Sequence, residues 1–166
     1  MSTIMPPGAK ARIDETVGGR TYGEDMSLSR AEREQYLAQP KIASLAVEAG
    51  PDRAPLVVPI WYQYEVGGQP WILTATESRK LDLIRSAGRF TLAIDDVEPT
   101  IRYVSVSGEV DRYEDGTHDD LVEMSARYLP ADKVEGYVAF AEKEHGAQTK
   151  VYLRPQQWVS ADLGNV

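Results

Sequence analysis

The chain has no cysteine among its 166 residues. This absence excludes a disulfide scaffold, a thiolate nucleophile and a zinc site built from cysteines. Any redox chemistry must therefore come from a bound cofactor rather than from a dithiol. Histidine is almost as scarce, with only His118 and His145 present, on two different predicted helices. Because a histidine metal site needs ligands at close spacing, we expect no metal site in this chain.

Basic residues and long apolar runs are also lacking. The chain has 18 basic and 26 acidic residues, a formal charge of −8, whereas a nucleic-acid-binding surface needs a basic face. No apolar run approaches the roughly 20 residues that span a bilayer. Residues 1–26 lack the apolar segment of a signal peptide. We therefore expect a cytoplasmic protein with no nucleic-acid partner and no membrane association.

The length suits a single domain with a full core. Residues 1–26 are polar and rich in glycine and proline, which predicts a flexible N-terminal arm, and residues 27–166 form the predicted domain. Ser29 and Glu32 have the spacing of a capping box and predict a helix through Leu37. Strands are predicted over residues 41–47, 56–65, 70–76, 89–95 and 101–113, with a short helix after the third.

The C-terminal part has a different pattern. Residues 116–129 and 131–146 predict two helices separated by Pro130, and residues 149–160 predict a last strand. Short strands joined by hairpin turns favour an antiparallel barrel over a doubly wound sheet. The sequence thus predicts a mainly β fold with helices.

Two residues interrupt the predicted strands. Pro59 lies in the middle of the longest one and cannot donate a ladder hydrogen bond, which predicts an edge strand or a bulge. Trp61 and Tyr62 follow at once and are suited to contact a flat ring system, although aromatic residues in strands are more often part of the core. Gly108 interrupts the strand over residues 101–113 and predicts a bulge or a sharp bend.

Arg79 and Lys80 occupy an unusual position for cations. They follow Ser78, a good N-cap residue, and so fall in the first turn of the predicted short helix. The macrodipole and the free amides at that end favour negative charge. Two adjacent cations there are consistent with an external anion, such as a phosphate, held between them and the amides. The alternative is an ordinary solvated basic pair.

Four segments, taken in order, carry a resemblance to a known family: residues 55–62 (PLVVPIWY), 71–80 (WILTATESRK), 88–96 (GRFTLAIDD) and 102–110 (RYVSVSGEV). The chain resembles the split-barrel flavin-binding proteins related to pyridoxamine 5′-phosphate oxidase. Within them it is most similar to the actinobacterial branch that uses flavin or the deazaflavin coenzyme F420. The resemblance extends over residues 28–158. The tryptophan and arginine pattern that ends the pyridoxamine phosphate oxidases is not matched, so vitamin B6 oxidation is not expected.

The resemblance implies a six-stranded antiparallel split β-barrel that forms a homodimer, with the cofactor at the subunit boundary. It implies that the strand around residues 57–62 lines the cofactor ring, that a threonine touches the cofactor, and that the basic pair holds its phosphate. Arg85 is a further candidate for the negatively charged tail. The cofactor-binding residues implied in this way are Val57, Val58, Pro59, Ile60, Trp61, Tyr62, Leu73, Thr74, Ser78, Arg79, Lys80 and Arg85.

The function implied by the resemblance is hydride transfer from reduced F420 to a small organic substrate such as an enone, a quinone or a tetrapyrrole. FMN is the alternative cofactor, and a carrier that binds a cofactor or tetrapyrrole without turnover is the alternative function. Because the cofactor does the chemistry, few catalytic side chains are needed. Tyr62, Tyr64 and Tyr103 are equal candidates for a proton donor, and the sequence does not distinguish them.

Overall fold

The computed structural model of the chain describes residues 16–17, 20–21 and 26–164. The strands of this part are β1 (Thr16–Val17), β2 (Arg20–Thr21), β3 (Ala43–Val47), β4 (Leu56–Ile60), β5 (Tyr62–Gln63), β6 (Trp71–Ala75), β7 (Arg89–Asp96), β8 (Arg102–Asp115), β9 (Gln148–Leu153) and β10 (Gln157–Asp162). The helices are α1 (Arg30–Leu37), α2 (Arg79–Ala87), α3 (His118–Tyr128) and α4 (Ala131–His145). Most of the predicted arm lies outside the described residues; within it, β1 and β2 pair antiparallel.

The long strand β8 joins two antiparallel sheets. Its first part pairs with β7 on one side and β10 on the other, and that sheet continues through β3 to β4. Its second part pairs with β9, and the second sheet continues through β6 to β5. The register shifts between Val110 and Arg112, where the strand passes from one sheet to the other. Two curled sheets that share one strand fit a split barrel.

The prediction of six strands is wrong, because residues 26–164 contain eight. Residues 56–65 divide at Trp61 into β4, which pairs with β3, and β5, which pairs with β6. Ile60 and Tyr62 are both buried on either side of this break, so the inward-facing alternation continues while the pairing partner changes. Residues 149–160 likewise divide into β9 and β10, which pair with different parts of β8.

The two interruptions have different explanations. Pro59 lies in β4, the edge strand of the first sheet, as its missing N–H predicted. The prediction of a bulge at Gly108 is wrong, since the register shift lies further along β8. Glycine is required there because the crossover from β9 to β10 passes over it. A Cβ at Gly108 would lie 1.8 Å from the carbonyl oxygen of Arg154.

The predicted helix ends are confirmed. Ser29 and Glu32 form a capping box at α1, and the Ser78 side chain accepts from the Leu81 N–H at α2. Pro130 separates α3 from α4, and the apolar residues of α4 pack with Leu121 of α3 in a small second core. The main core lies between the two sheets and is closed by α1 and α2. Of the helices in residues 26–164, none combines the length and the apolar character needed to cross a bilayer.

Helix α3 is tied to the barrel at both of its ends. Near its start, Asp120 accepts from the Lys150 ammonium at 2.7 Å, and both side chains are largely buried. At its end, Arg127 donates to the Gln63 side chain and to the Leu37 and Gln39 carbonyls. The Tyr128 hydroxyl accepts the Tyr62 N–H at 3.0 Å and lies within hydrogen-bonding distance of two backbone carbonyls. These bonds fix α3 as a wall beside β5 and β6.

Candidate functional site

A cleft of about 520 Å³ lies between the second sheet and the two C-terminal helices. Strands β4 and β6 supply residues on two sides, the start of α2 closes one end, and α3 and α4 cover the remaining side. Its volume is within the range of small-molecule and cofactor sites. The lining residues are Ile42, Pro59, Ile60, Trp61, Leu73, Thr74, Ala75, Ser78, Lys80, Leu121, Met124, Tyr137, His145 and Gln148.

One end of the cleft is polar and cationic. Lys80 lines it from the first turn of α2, and Thr74 and Ser78 line it as well. The hydroxyl oxygens of Thr74 and Ser78 are 3.3 Å apart. Partial burial lowers the pKa of the Lys80 ammonium, because removal from water disfavours the charged form. In the described part of the chain none of the residues lining this cleft is acidic, although the whole chain carries a charge of −8. This end is therefore electrostatically suited to an anion.

The rest of the cleft is aromatic and aliphatic. The Trp61 indole stacks on the Tyr128 ring, with centroids 4.8 Å apart and planes 17° apart, and it also contacts the Tyr137 ring at 5.1 Å. Leu121 and Met124 of α3 extend this surface. A flat ring system would find apolar and aromatic contacts on this side. The cleft as a whole thus suits a ligand with a flat apolar part and an anionic part.

The predicted cofactor-binding residues fall into two groups. The residues that line the cleft are Pro59, Ile60, Trp61, Leu73, Thr74, Ser78 and Lys80. The other five side chains lie elsewhere. Val57 is exposed on the outer face of β4, and Val58 packs against the main core. Their roles toward a cofactor stay a prediction.

Tyr62 is one of the residues outside the cleft. Its ring is fully buried, and its hydroxyl donates to the Leu37 carbonyl at 2.6 Å. Arg79 is the first residue of α2 and is exposed, so the basic pair divides: Lys80 enters the cleft and Arg79 does not. Arg85 lies in the last turn of α2, with its guanidinium 5.8 Å from the Tyr113 ring centroid.

The tyrosine within the cleft is not one of the three that the sequence suggested. Tyr62 and Tyr64 are buried in the core, and Tyr103 is exposed on the outer face of β8. Tyr137 lines the cleft instead, and burial raises the pKa of its hydroxyl. Helical periodicity marks Tyr137 as part of the apolar stripe of α4 but does not say what that stripe faces.

Comparison with known proteins bears on the fold. No protein-family model matches the chain, and no curated protein matches it significantly. Among solved structures, a conserved hypothetical protein from Mycobacterium tuberculosis superposes with a TM-score of 0.66 at 23% identity, covering 84% of this chain and 88% of that one. A protein described as an F420 reductase has a TM-score of 0.59 at 23% identity, covering 76% and 94%.

A FAD- and heme-binding protein from Mycobacterium smegmatis superposes with a TM-score of 0.60 at 20% identity, covering 86% of this chain and 75% of that one. Identities in this range show a shared fold. The chain therefore has the split-barrel fold that the sequence resemblance implied, with the strand count given above.

Proposed function

We propose that the protein is an oxidoreductase that binds a phosphorylated tricyclic cofactor, coenzyme F420 first and FMN as the alternative, and reduces a small organic substrate. The observation that carries the proposal is the division of one cleft into an aromatic side at Trp61 and a cationic end at Lys80. The same fold is found in proteins described as an F420 reductase and as FAD-binding, which supports a flavin-type ligand.

The chain's own residues would hold and orient this ligand. Lys80, the Ser78 and Thr74 hydroxyls and the first amides of α2 would bind the phosphate. Trp61, Ile60 and Pro59 would contact the ring of the cofactor. Leu121 and Met124 would exclude water from the part of the ring that faces α3. The cofactor supplies the hydride when bound. The Tyr137 hydroxyl, which is protonated at neutral pH as in any tyrosine, would be available to hydrogen-bond a substrate carbonyl.

Binding and turnover test this proposal in two steps. The purified protein is first titrated with F420 and with FMN separately, and binding is followed by fluorescence. Reduced F420 is then offered together with enones, quinones or biliverdin, and its oxidation is followed by absorbance. We expect micromolar or tighter binding and oxidation with at least one acceptor. Failure of both cofactors to bind would refute the proposal.

A carrier that binds its ligand without turnover is the second candidate. Two proteins of this fold from Mycobacterium smegmatis are described as heme-binding, and a tetrapyrrole is also a flat ring with anionic groups. Tight binding of F420 or of a tetrapyrrole, with no oxidation of reduced F420 by any acceptor, would favour the carrier over the enzyme.

We also propose that a second copy of the chain completes the site. Ile42 and Pro59 line the cleft and are exposed at the edge of the first sheet. On the outer face of that sheet, Val57 and Val159 are each 60% exposed, and the register places the small residues Ala93 and Ser105 side by side between the outer strands. A face that combines exposed valines with small side chains is suited to a homodimer interface.

Sedimentation velocity tests the dimer. Val159→Arg should dissociate it and weaken cofactor binding. Val66→Arg, at an equally apolar exposed position in the turn before β6, is the matched control and should stay dimeric. A monomeric wild-type protein that binds the cofactor with full affinity would refute the shared site.

A further inference from the structure

His145 lines the cleft but is distant in sequence from Ser78, Arg79 and Lys80, the residues on which the anion-site prediction rests. It is the last residue of α4 and is exposed, and it lines the same cleft as Lys80, Thr74 and Ser78. The Phe140 ring meets the imidazole edge-on, with centroids 6.3 Å apart and planes at 87°. This contact restricts how the imidazole can turn.

The pairing of β6 with β9 brings the end of α4 beside the start of α2. Ala75 pairs with Gln148 in this ladder, and the Thr76 N–H donates to the Ala147 carbonyl at 2.9 Å. Thr76 precedes the N-cap of α2 by two residues, and Ala147 follows His145 by two residues. The cationic end of the cleft therefore has Lys80 on the α2 side and His145 on the α4 side.

The ionisable groups around His145 favour an anion between the two sides. Lys80 faces the cleft from α2 and Tyr137 faces it from α4. Strands β6 and β9 contribute the neutral residues Thr74 and Gln148, and α3 contributes Leu121 and Met124. The acids close in sequence to Lys80 are Glu77 and Asp82, and those close to His145 are Glu142 and Glu144. All four are exposed, and none of them lines the cleft.

We propose that His145 is a second anion-binding residue of the site, which donates an imidazole N–H to the phosphate group of the bound cofactor from the side opposite Lys80. This proposal rests on the proposed function, because it takes the phosphate to be part of a cofactor. The simpler role for a histidine at a helix C-terminus is to interact with the macrodipole. That role affects the stability of α4 but does not distinguish a phosphorylated ligand from an unphosphorylated one.

FMN and riboflavin separate the two roles, since they differ only in the phosphate. Both ligands are titrated into the wild-type protein, His145→Leu and His118→Leu, because leucine keeps helix propensity and has no hydrogen-bond donor in its side chain. His118 is the matched control because it is the other histidine of the chain, lies at the start of α3, and pairs with Glu142 outside the cleft. We expect His145→Leu to lower the ratio of FMN to riboflavin affinity about tenfold, as for loss of one hydrogen bond to a charged group, and His118→Leu to leave it unchanged.

A second readout does not depend on flavin binding. The two histidines give two imidazole Cε1–H signals in the proton NMR spectrum, and each is assigned by its loss in the corresponding variant. Addition of inorganic pyrophosphate should shift the His145 signal and leave the His118 signal in place. If no flavin or F420 binds but this shift occurs, the proposed function fails and the anion-binding role of His145 stands. An unchanged affinity ratio in His145→Leu, equal weakening of both flavins, or a His145 signal that does not respond to pyrophosphate would overturn the inference.

Discussion

Replacement of each member of the basic pair by methionine tests the anion site most directly. Lys80 and Arg79 are neighbours in the sequence and have similar helix propensity, but only Lys80 lines the cleft, while Arg79 is exposed. Lys80→Met should therefore weaken cofactor binding, and Arg79→Met is its matched control. Methionine keeps the helix and most of the side-chain length while it removes the charge.

The size of the effect follows from the two environments. A hydrogen bond to a charged group in a partly buried site contributes about 1.5–3 kcal/mol, so Lys80→Met should raise the dissociation constant roughly 10- to 150-fold. An exposed charge contributes about 0–1 kcal/mol, so Arg79→Met should raise it no more than about fivefold. Titration with F420 and with FMN at low ionic strength gives both values.

The stability of the ligand-free protein provides a check against misfolding. Burial lowers the pKa of Lys80 in the folded state below its value in the unfolded chain. The charged amine therefore destabilises the fold at neutral pH, and this penalty is relieved only as the pH rises from the folded-state pKa toward the unfolded one. Lys80→Met should leave the melting temperature of the ligand-free protein unchanged or higher. Equal loss of affinity in both variants, or a larger loss in Arg79→Met, would refute the assignment of Lys80.

Three further predictions concern the residues that shape the cleft and the barrel. Trp61→Ala should weaken the binding of FMN and of riboflavin by the same factor, since Trp61 is expected to contact the ring and not the phosphate. A selective loss of FMN binding would count against contact between Trp61 and the ring. Gly108→Ala should lower the free energy of unfolding in urea by about 3 kcal/mol, because the added methyl group would meet a backbone carbonyl. Gly136→Ala is the control: a methyl group at this position of α4 would meet no atom within 4 Å, and the change should raise the free energy of unfolding by about 0.5–1 kcal/mol. Asp120→Asn should cost about 2 kcal/mol at pH 7, because it leaves the largely buried Lys150 ammonium without its negatively charged partner. Burial alone would raise the pKa of Asp120, but hydrogen bonds from Lys150 and Thr117 outweigh it, so the pKa is lowered. The wild type should therefore lose this stability as the pH falls below about 4 and through the folded-state value, and a variant with the same acid limb as the wild type would contradict the pairing.

Local patterns in the sequence predicted the features that depend on neighbouring residues. The caps at Ser29 and Ser78, the two helices around Pro130 and the edge position of Pro59 all follow from backbone chemistry within a few residues. The cationic first turn of α2 is also a local feature, and it singled out Lys80, which lines the cleft. The sequence gives no reason to separate Lys80 from Arg79, because both lie in the same turn and their side chains differ only in direction.

The features that were missed depend on partners distant in the sequence. The sequence does not predict the change of pairing strand at Trp61, from β3 beside β4 to β6 beside β5. Alternation of apolar and polar residues shows which face of the sheet a residue occupies, and not which strand lies beside it. His145 joins the site through the pairing of β6 with β9, a long-range contact that no motif around His145 signals. The signal would have been the antiparallel pairing of β9, which follows α4, with β6, which precedes α2. That pairing can be used only when the order of strands in the sheet is known.

The α3–α4 hairpin covers one side of the cleft. It is inserted between β8 and β9, which pair directly and would need only a short connection. Without it the cleft would lose Leu121, Met124, Tyr137 and His145 and become an open groove on the second sheet. The bonds to the barrel described above come from Asp120, Arg127 and Tyr128, all on α3. Helix α4 packs on α3 and contacts the barrel through Tyr137 and Trp61. Substitutions of Tyr137 or His145 on α4 therefore alter the cleft without breaking those bonds, whereas Leu121 and Met124 lie on the same helix as the bonds.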